Sequence, residues 1–245
     1  MTLPLKRLLM TAIFSITANF YAFSVCMAEV AVLDRVTTVN TPIRIAVLTK
    51  GRFFSEGGRL VDLYLEGEHL KRILTGGDGY GYYKITPRSP GYQKIEARSN
   101  SDRAEGLLLV MTPKDRAIAI EVEQGFKTAV FSEDIKQSSL KAVKALSKNY
   151  KIIYLSRYVG KSITAAWLGK QGYPESVILR WRGPSTLTAM KERGIQLEAI
   201  IGSAAVLSEA ARVIENRFSF EKTKDGTTVK DWEEILEHLQ DNRKP

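Results

Sequence analysis

This chain is poor in the residues that carry thiol or metal chemistry. It has one cysteine and two histidines in 245 residues. Cys26 closes an apolar run near the N-terminus, so removal of that run leaves neither a disulfide nor a thiol to stabilise or power the protein. His69 and His238 lie far apart, with no Cys or His neighbours, and read as surface residues instead of zinc ligands. The lysines form no block and no basic-aromatic motif occurs, so nucleic acid is not an expected partner.

What is present begins with a leader. Met1 to Arg7 carries Lys6 and Arg7 and no acid, Leu8 to Val25 is apolar, and Cys26-Met27-Ala28 precedes Glu29 with small residues. This pattern predicts a secretory signal peptide over residues 1–28 and a periplasmic or secreted mature protein. An uncleaved membrane anchor is the competing reading, because the run is nearly long enough to span a bilayer. Loss of Lys6 and Arg7 leaves 34 basic and 27 acidic residues, a net charge of +7. Such a surface favours anionic partners, including phosphorylated compounds and membrane headgroups, although a solvated surface needs no partner at all.

The remainder divides into two periodicities. From Val30 to Thr112, short alternating segments (Ile43 to Leu48, Arg59 to Leu65, Tyr80 to Ile85, Gly91 to Ala97, Gly106 to Met111) are separated by Gly- and Pro-rich turns, which predicts a β-sandwich over 29–112. From 113 to 245 strands alternate with helices: strands at Ala117 to Val122, Lys151 to Leu155, Ser176 to Arg180 and Leu197 to Ile201. The intervening helices are predicted over 133–147, 162–171, 185–193, 204–216 and 231–241. That alternation predicts an α/β domain built on a parallel sheet, with ligands bound beyond the C-terminal strand ends. Glu121, Glu123, Ser156 and Gly202-Ser203 fall at those ends, and Glu121-Val122-Glu123 presents two carboxylates side by side.

Two glycine patterns fail as phosphate loops. Gly77, Gly79 and Gly81 have Tyr82 where a third glycine is needed, and Val159-Gly160-Lys161-Ser162 has Leu155 at the first glycine position of a P-loop.

Two resemblances follow from these residues. Thr75 to Tyr83 with Pro87 to Tyr92 resembles a hairpin of bacterial Ig-like and transthyretin-like domains, which implies fold and says nothing of function. The order Glu121-Val122-Glu123, Ser156, Lys191, Gly202-Ser203 resembles the four motifs of the haloacid dehalogenase-like (HAD-like) superfamily. Ile153-Tyr154-Leu155-Ser156-Arg157 and Gly172 to Arg180 are similar to its uncapped phosphatidate-phosphatase branch, which includes the lipin-type catalytic region. The resemblance implies a Rossmann-like domain with Glu121 at the nucleophile position and Glu123 at the acid/base position. It also implies phosphate contacts from Ser156 and Lys191, and Mg²⁺ if the protein is active.

The departures argue against activity. The family uses aspartates in its first motif, and each glutamate is one methylene longer. Near-attack geometry tolerates little error, with about 1 Å of misplacement capable of removing roughly 100-fold in rate. Ser203 stands where the fourth motif has a metal-binding aspartate, and Glu209 is displaced along the following helix. Mg²⁺ prefers several hard oxygen ligands in near-octahedral geometry, so no bound cofactor is expected. The leading expectation is an exported, catalytically degenerate HAD-like protein that binds or scaffolds an anionic, phosphorylated or protein partner. The alternative is a divergent Mg²⁺-dependent phosphatase, with phosphatidate or another phosphomonoester as substrate.

Overall fold

The computed structural model describes residues 30–51, 54–127, 134–136 and 138–241. The leader, Cys26 and the predicted start of the helix at Glu133 lie outside these residues. No helix among the described residues is long and apolar enough to cross a membrane.

Eight strands form the first half: β1 (Val30–Leu33), β2 (Arg35–Thr38), β3 (Ile43–Thr49), β4 (Leu60–Leu65), β5 (Glu68–Leu74), β6 (Tyr80–Ile85), β7 (Gly91–Ser99) and β8 (Asp102–Met111). They make two sheets, ordered β1-β3-β6 and β2-β8-β7-β4-β5. Alternation sends Ile43, Ile45, Val47, Val61, Leu63, Ile95, Leu108 and Val110 into one core between the sheets, as expected for a sandwich with period-two strands. The chain changes sheets at Asp34, between β1 and β2. Gly106 on β8 permits the close approach there, because a Cβ would lie 2.5 Å from Val32 Cγ1. The sequence pattern missed β5, whose face is mostly exposed and charged. Glu66 and Gly67, both at positive φ, make the tight turn that folds it back on β4. His69 lies exposed on this hairpin beside Asp62, while Arg72 makes two 2.8 Å bonds to the same carboxylate.

A turn over Thr112–Asp115, held by the Thr112 amide on Asp115 Oδ2 at 2.6 Å, leads into the second half. Its strands are β9 (Arg116–Glu121), β10 (Lys151–Ser156), β11 (Ile178–Arg180), β12 (Gln196–Ile201), β13 (Asn216–Ser219) and β14 (Thr227–Thr228). The helices are α1 (Val122–Gly125), α2 (Ser139–Leu146), α3 (Lys161–Gln171), α4 (Pro184–Lys191), α5 (Ala204–Ala210) and α6 (Trp232–Asp241). The sheet order is β11-β10-β9-β12-β13-β14 and all neighbours are parallel. Within the sheet this is the order 3-2-1-4-5-6, and it reverses between β9 and β12, where open α/β sheets leave a crevice. Several predicted boundaries are corrected. Val122 opens a helical turn instead of ending the strand, the helix predicted over 133–147 begins at Ser139, and the helix from Ala204 stops at Ala210, so that Asn216 begins β13 beside β12.

Both faces of the parallel sheet are covered. Ile118, Ile120, Ile152 and Tyr154 face α2, α3 and α6 through Val143, Trp167, Leu168, Trp232 and Ile235. Ala117, Ala119, Ile153 and Leu155 face the other way, toward Leu187 and Met190 of α4 and Val206 of α5. The same cluster contains Val36 of β2 and Leu109 and Met111 of β8. The sandwich therefore completes the second face of the sheet, and one apolar core crosses between the halves.

Candidate functional site

At the end of β9 the chain turns sharply into α1, and that turn separates the two glutamates. An extended strand would project Glu121 and Glu123 to the same side. Instead Glu121, the last strand residue, leans toward β12, and Glu123, in the first turn of α1, leans toward β10. The Ser203 amide donates to Glu121 Oε2 at 2.6 Å. Glu123 Oε1 accepts the backbone amides of Arg157, Tyr158 and Val159 at 3.0, 3.1 and 3.2 Å, and the Arg157 amide also lies 3.2 Å from Oε2. The Ser156 hydroxyl lies 2.8 Å from Glu123 Oε1 and 2.6 Å from the Val159 carbonyl, and its single proton serves one of them at a time. Three consecutive amides converging on one point form an anion-binding nest. Here the nest is filled by the protein's own Glu123 carboxyl group, and both glutamates are fully buried.

Glu121 is held differently. Its Oε1 is buried without a hydrogen-bond partner. Burial pushes its pKa up and the nearby Glu123 charge adds to this, while the Ser203 amide and hydroxyl and the Arg157 guanidinium act the other way. A raised pKa favours the protonated form, which needs no counterion. Gly202 is required beside it, since a Cβ at that position would stand 2.8 Å from Glu121 Oε2 and 3.2 Å from Glu121 Cβ. Ser203 then caps α5, its hydroxyl accepting the Val206 amide at 3.4 Å.

Of the residues singled out in the sequence, Glu121, Glu123, Ser156, Gly202 and Ser203 do gather at the strand ends. Lys191 does not. It sits in the last turn of α4, next to the start of β12, and its ammonium donates to the Val213 carbonyl before β13. That is the opposite edge of the sheet, about 20 Å away for a six-residue strand. Glu209 on α5 is partly exposed, accepting the Trp181 indole N–H at 2.8 Å and lying 3.9 Å from the Arg157 guanidinium. These residues do not fit a Mg²⁺ ion. The oxygens of Glu123 already accept loop donors, Ser203 supplies no carboxylate, and Glu209 is committed to Trp181 and Arg157. Among the described residues no group of three His, Cys, Asp or Glu side chains converges.

Sequence reasoning missed the residues that fix the loop after β10. Lys161, the first residue of α3, lies 2.5 Å from Asp34 Oδ1 and donates to the carbonyls of Val32 and Glu105 at 3.0 Å each. Asp34 also accepts the amides of Leu107 and Ile178 at 2.8 Å, so one buried carboxylate ties both halves. The sandwich thus holds the far end of the 157–160 loop whose amides grip Glu123. Asp34 had one signal in the sequence, a lone acid interrupting the strand-like run Val30 to Thr38.

No family model and no curated protein matches this chain. Among solved structures it is similar to the CARDB domain of PF1109 from Pyrococcus furiosus, at 18% identity over 34% of this chain and 93% of that domain, with a TM-score of 0.28. It is also similar to the IG27 protein domain (14% identity, 36% and 98% covered, TM-score 0.28) and to fibronectin(III)-like modules of CbhA from Clostridium thermocellum (16%, 34% and 97%, TM-score 0.25). These neighbours are β-sandwich modules matching about a third of the chain, its N-terminal part.

Proposed function

We propose that this is an exported binding protein whose α/β half is a HAD-like domain that no longer turns substrates over, and whose partner is anionic, phosphorylated or a protein. A parallel sheet ordered 3-2-1-4-5-6 with an acid closing its central first strand supports the HAD-like reading. One observation carries the loss of catalysis: the amide nest after β10, which an anionic substrate group would need, is filled by Glu123. With Oε1 taken up by three amides and the Ser156 hydroxyl in reach, Glu123 is held in the loop and is not free to meet a substrate. Glu121, buried and biased toward its neutral form, is a poor nucleophile. The divergent-phosphatase alternative needs both groups to leave these positions and recruit a metal that the surrounding donors do not suit.

The test is hydrolysis of 4-nitrophenyl phosphate and of phosphatidate by the mature protein with Mg²⁺. Wild-type protein is expected to give the uncatalysed background, and measurable turnover only after Glu121→Asp combined with Ser203→Asp fits degeneration from a phosphatase. Turnover by wild type that disappears in Glu121→Ala overturns the proposal.

A further inference from the structure

The parallel sheet and the sandwich enclose a cleft of about 710 Å³ beside the occupied strand-end site. Arg35 of β2 and Tyr80 and Tyr82 of β6 line one wall, and Arg180, Arg182 and Arg193 line the other. The only carboxylates lining it are Asp34 and Asp78. Asp34 is committed to Lys161 and two amides, and Asp78 accepts the Tyr80 amide at 3.0 Å. Among the described residues none of the four arginines makes a salt bridge, and no hydrogen bond uses the guanidiniums of Arg180 or Arg182. Arg35 spends its Nε–H on the Arg44 carbonyl at 3.1 Å, and Arg193 donates to the Ala189 carbonyl.

Four guanidiniums face one cleft with no salt bridge among the described residues. Burial lowers the Arg35 pKa and the charges of Arg193 and Arg182 lower it further, against opposing contributions from Tyr82 and Asp34. A bound anion would offset those like charges. Guanidinium forks match phosphate oxygens in pairs, and several of them suit a dianion better than a single carboxylate. The opposite wall is of another kind. Tyr80 and Tyr82 stack with centroids 6.1 Å apart and planes within 8°, and Tyr82 is half exposed. The volume is that of a small-molecule site.

We propose that this interdomain cleft, and not the HAD-like strand end, is the anion site of the protein, and that it takes a phosphomonoester whose phosphate meets Arg180, Arg182, Arg193 and Arg35 while its organic part lies along Tyr80 and Tyr82. The proposal rests on the binding reading above and gives that reading its site and ligand class. It also accounts for a chain that has lost the strand-end position and keeps an uncompensated basic surface elsewhere.

The experiment is calorimetric titration of the mature protein with 4-nitrophenyl phosphate, with inorganic phosphate, and with vesicles of phosphatidylcholine with or without phosphatidate. The free ester and the vesicles separate a soluble phosphomonoester from a lipid headgroup. Arg180→Ala and Arg182→Ala, both at exposed positions that the fold tolerates, are each expected to weaken binding of the phosphorylated probe tenfold or more. Tyr82→Ala should weaken the ester and leave inorganic phosphate unchanged, and Lys191→Ala should change neither. Binding that survives both arginine variants but is lost in Ser203→Ala, at the strand end and outside the cleft lining, overturns the cleft and leaves the binding reading standing. Absence of binding by every phosphorylated probe also overturns the cleft. Hydrolysis of the ester during titration, abolished by Glu121→Ala, overturns the non-catalytic reading, while the arginine variants still decide the cleft.

Discussion

The two glutamates that look equivalent in sequence are held in different ways. Glu123 Oε1 accepts three loop amides, while burial pushes Glu121 toward its neutral form and leaves one carboxyl oxygen unpartnered. The spacing Glu-x-Glu could not reveal their divergence, because that depends on where the strand stops. One residue of extra strand would have kept them on one side; the onset of α1 at Val122 turns them apart. The raised pKa of Glu121 has a signed consequence. Below the ordinary carboxyl value near 4.5 both folded and unfolded states hold the proton, and the stabilisation from the raised folded pKa is fully present. As pH rises toward the folded pKa the unfolded state loses its proton first, and stability falls. Glu121→Gln keeps an acceptor for the Ser203 amide and cannot ionise. Urea unfolding from pH 4 to 8 should therefore find the variant close to wild type at pH 4 and gaining on it as pH rises. A constant difference across that range would show that Glu121 titrates normally.

At the scale of elements, strong periodicity was readable and the placement of ends was not. Ala117 to Ile120 is apolar at every position because β9 is central and buried on both faces, and the same holds for Ile152 to Leu155 of β10. The run Leu107 to Met111 carries a subtler message: Leu108 and Val110 enter the sandwich core, while Leu109 and Met111 enter the core shared with the parallel sheet. A strand at a sandwich surface with both faces apolar already implies a docked neighbour. Lys191 went wrong for a simple reason. A helix that returns antiparallel to the strands puts its last turn at their N-terminal edge, so a lysine there cannot serve the C-terminal edge. Lys161 looked like a false P-loop lysine, yet it anchors the first turn of α3 to Asp34, Val32 and Glu105. Replacing it with methionine leaves the buried Asp34 carboxylate with amides but no cation. Because the lysine side chain is partly exposed, the expected loss of stability is about 2 kcal/mol, below the 3–5 kcal/mol typical of a broken buried pair. Urea denaturation of Lys161→Met checks this, and an unchanged midpoint would remove the pair from the account.

For the whole molecule the boundary near residue 112 divides architectures without dividing the core. Val36, Leu109 and Met111 pack with Leu155, Val177, Trp181 and Met190, and Thr38 and Tyr92 add hydrogen bonds to Arg193 and Ser176 across the same boundary. Removing residues 30–112 would strip apolar cover from one face of the parallel sheet, so such a deletion is a test of folding before it is a test of ligand binding. The mature protein should accordingly unfold in a single transition, with secondary structure and tryptophan fluorescence following the same curve. Two separated transitions would mean that the halves are independent. The sequence pattern gave no sign of the ion pair that joins the halves, because Asp34 and Lys161 are separated by most of both.

If Glu123 serves the loop after β10 and not a reaction, as proposed, the unfolding free energy of Glu123→Ala against wild type reveals it. Catalytic side chains are often held at the expense of stability, so their removal tends to be neutral or stabilising. Removing Glu123 instead takes the acceptor from three partly buried loop amides, while Ser156 keeps the Val159 carbonyl; each lost hydrogen bond is worth about 0.5–1.5 kcal/mol. The expected loss is about 2–4 kcal/mol. A variant as stable as wild type, or more stable, would contradict it.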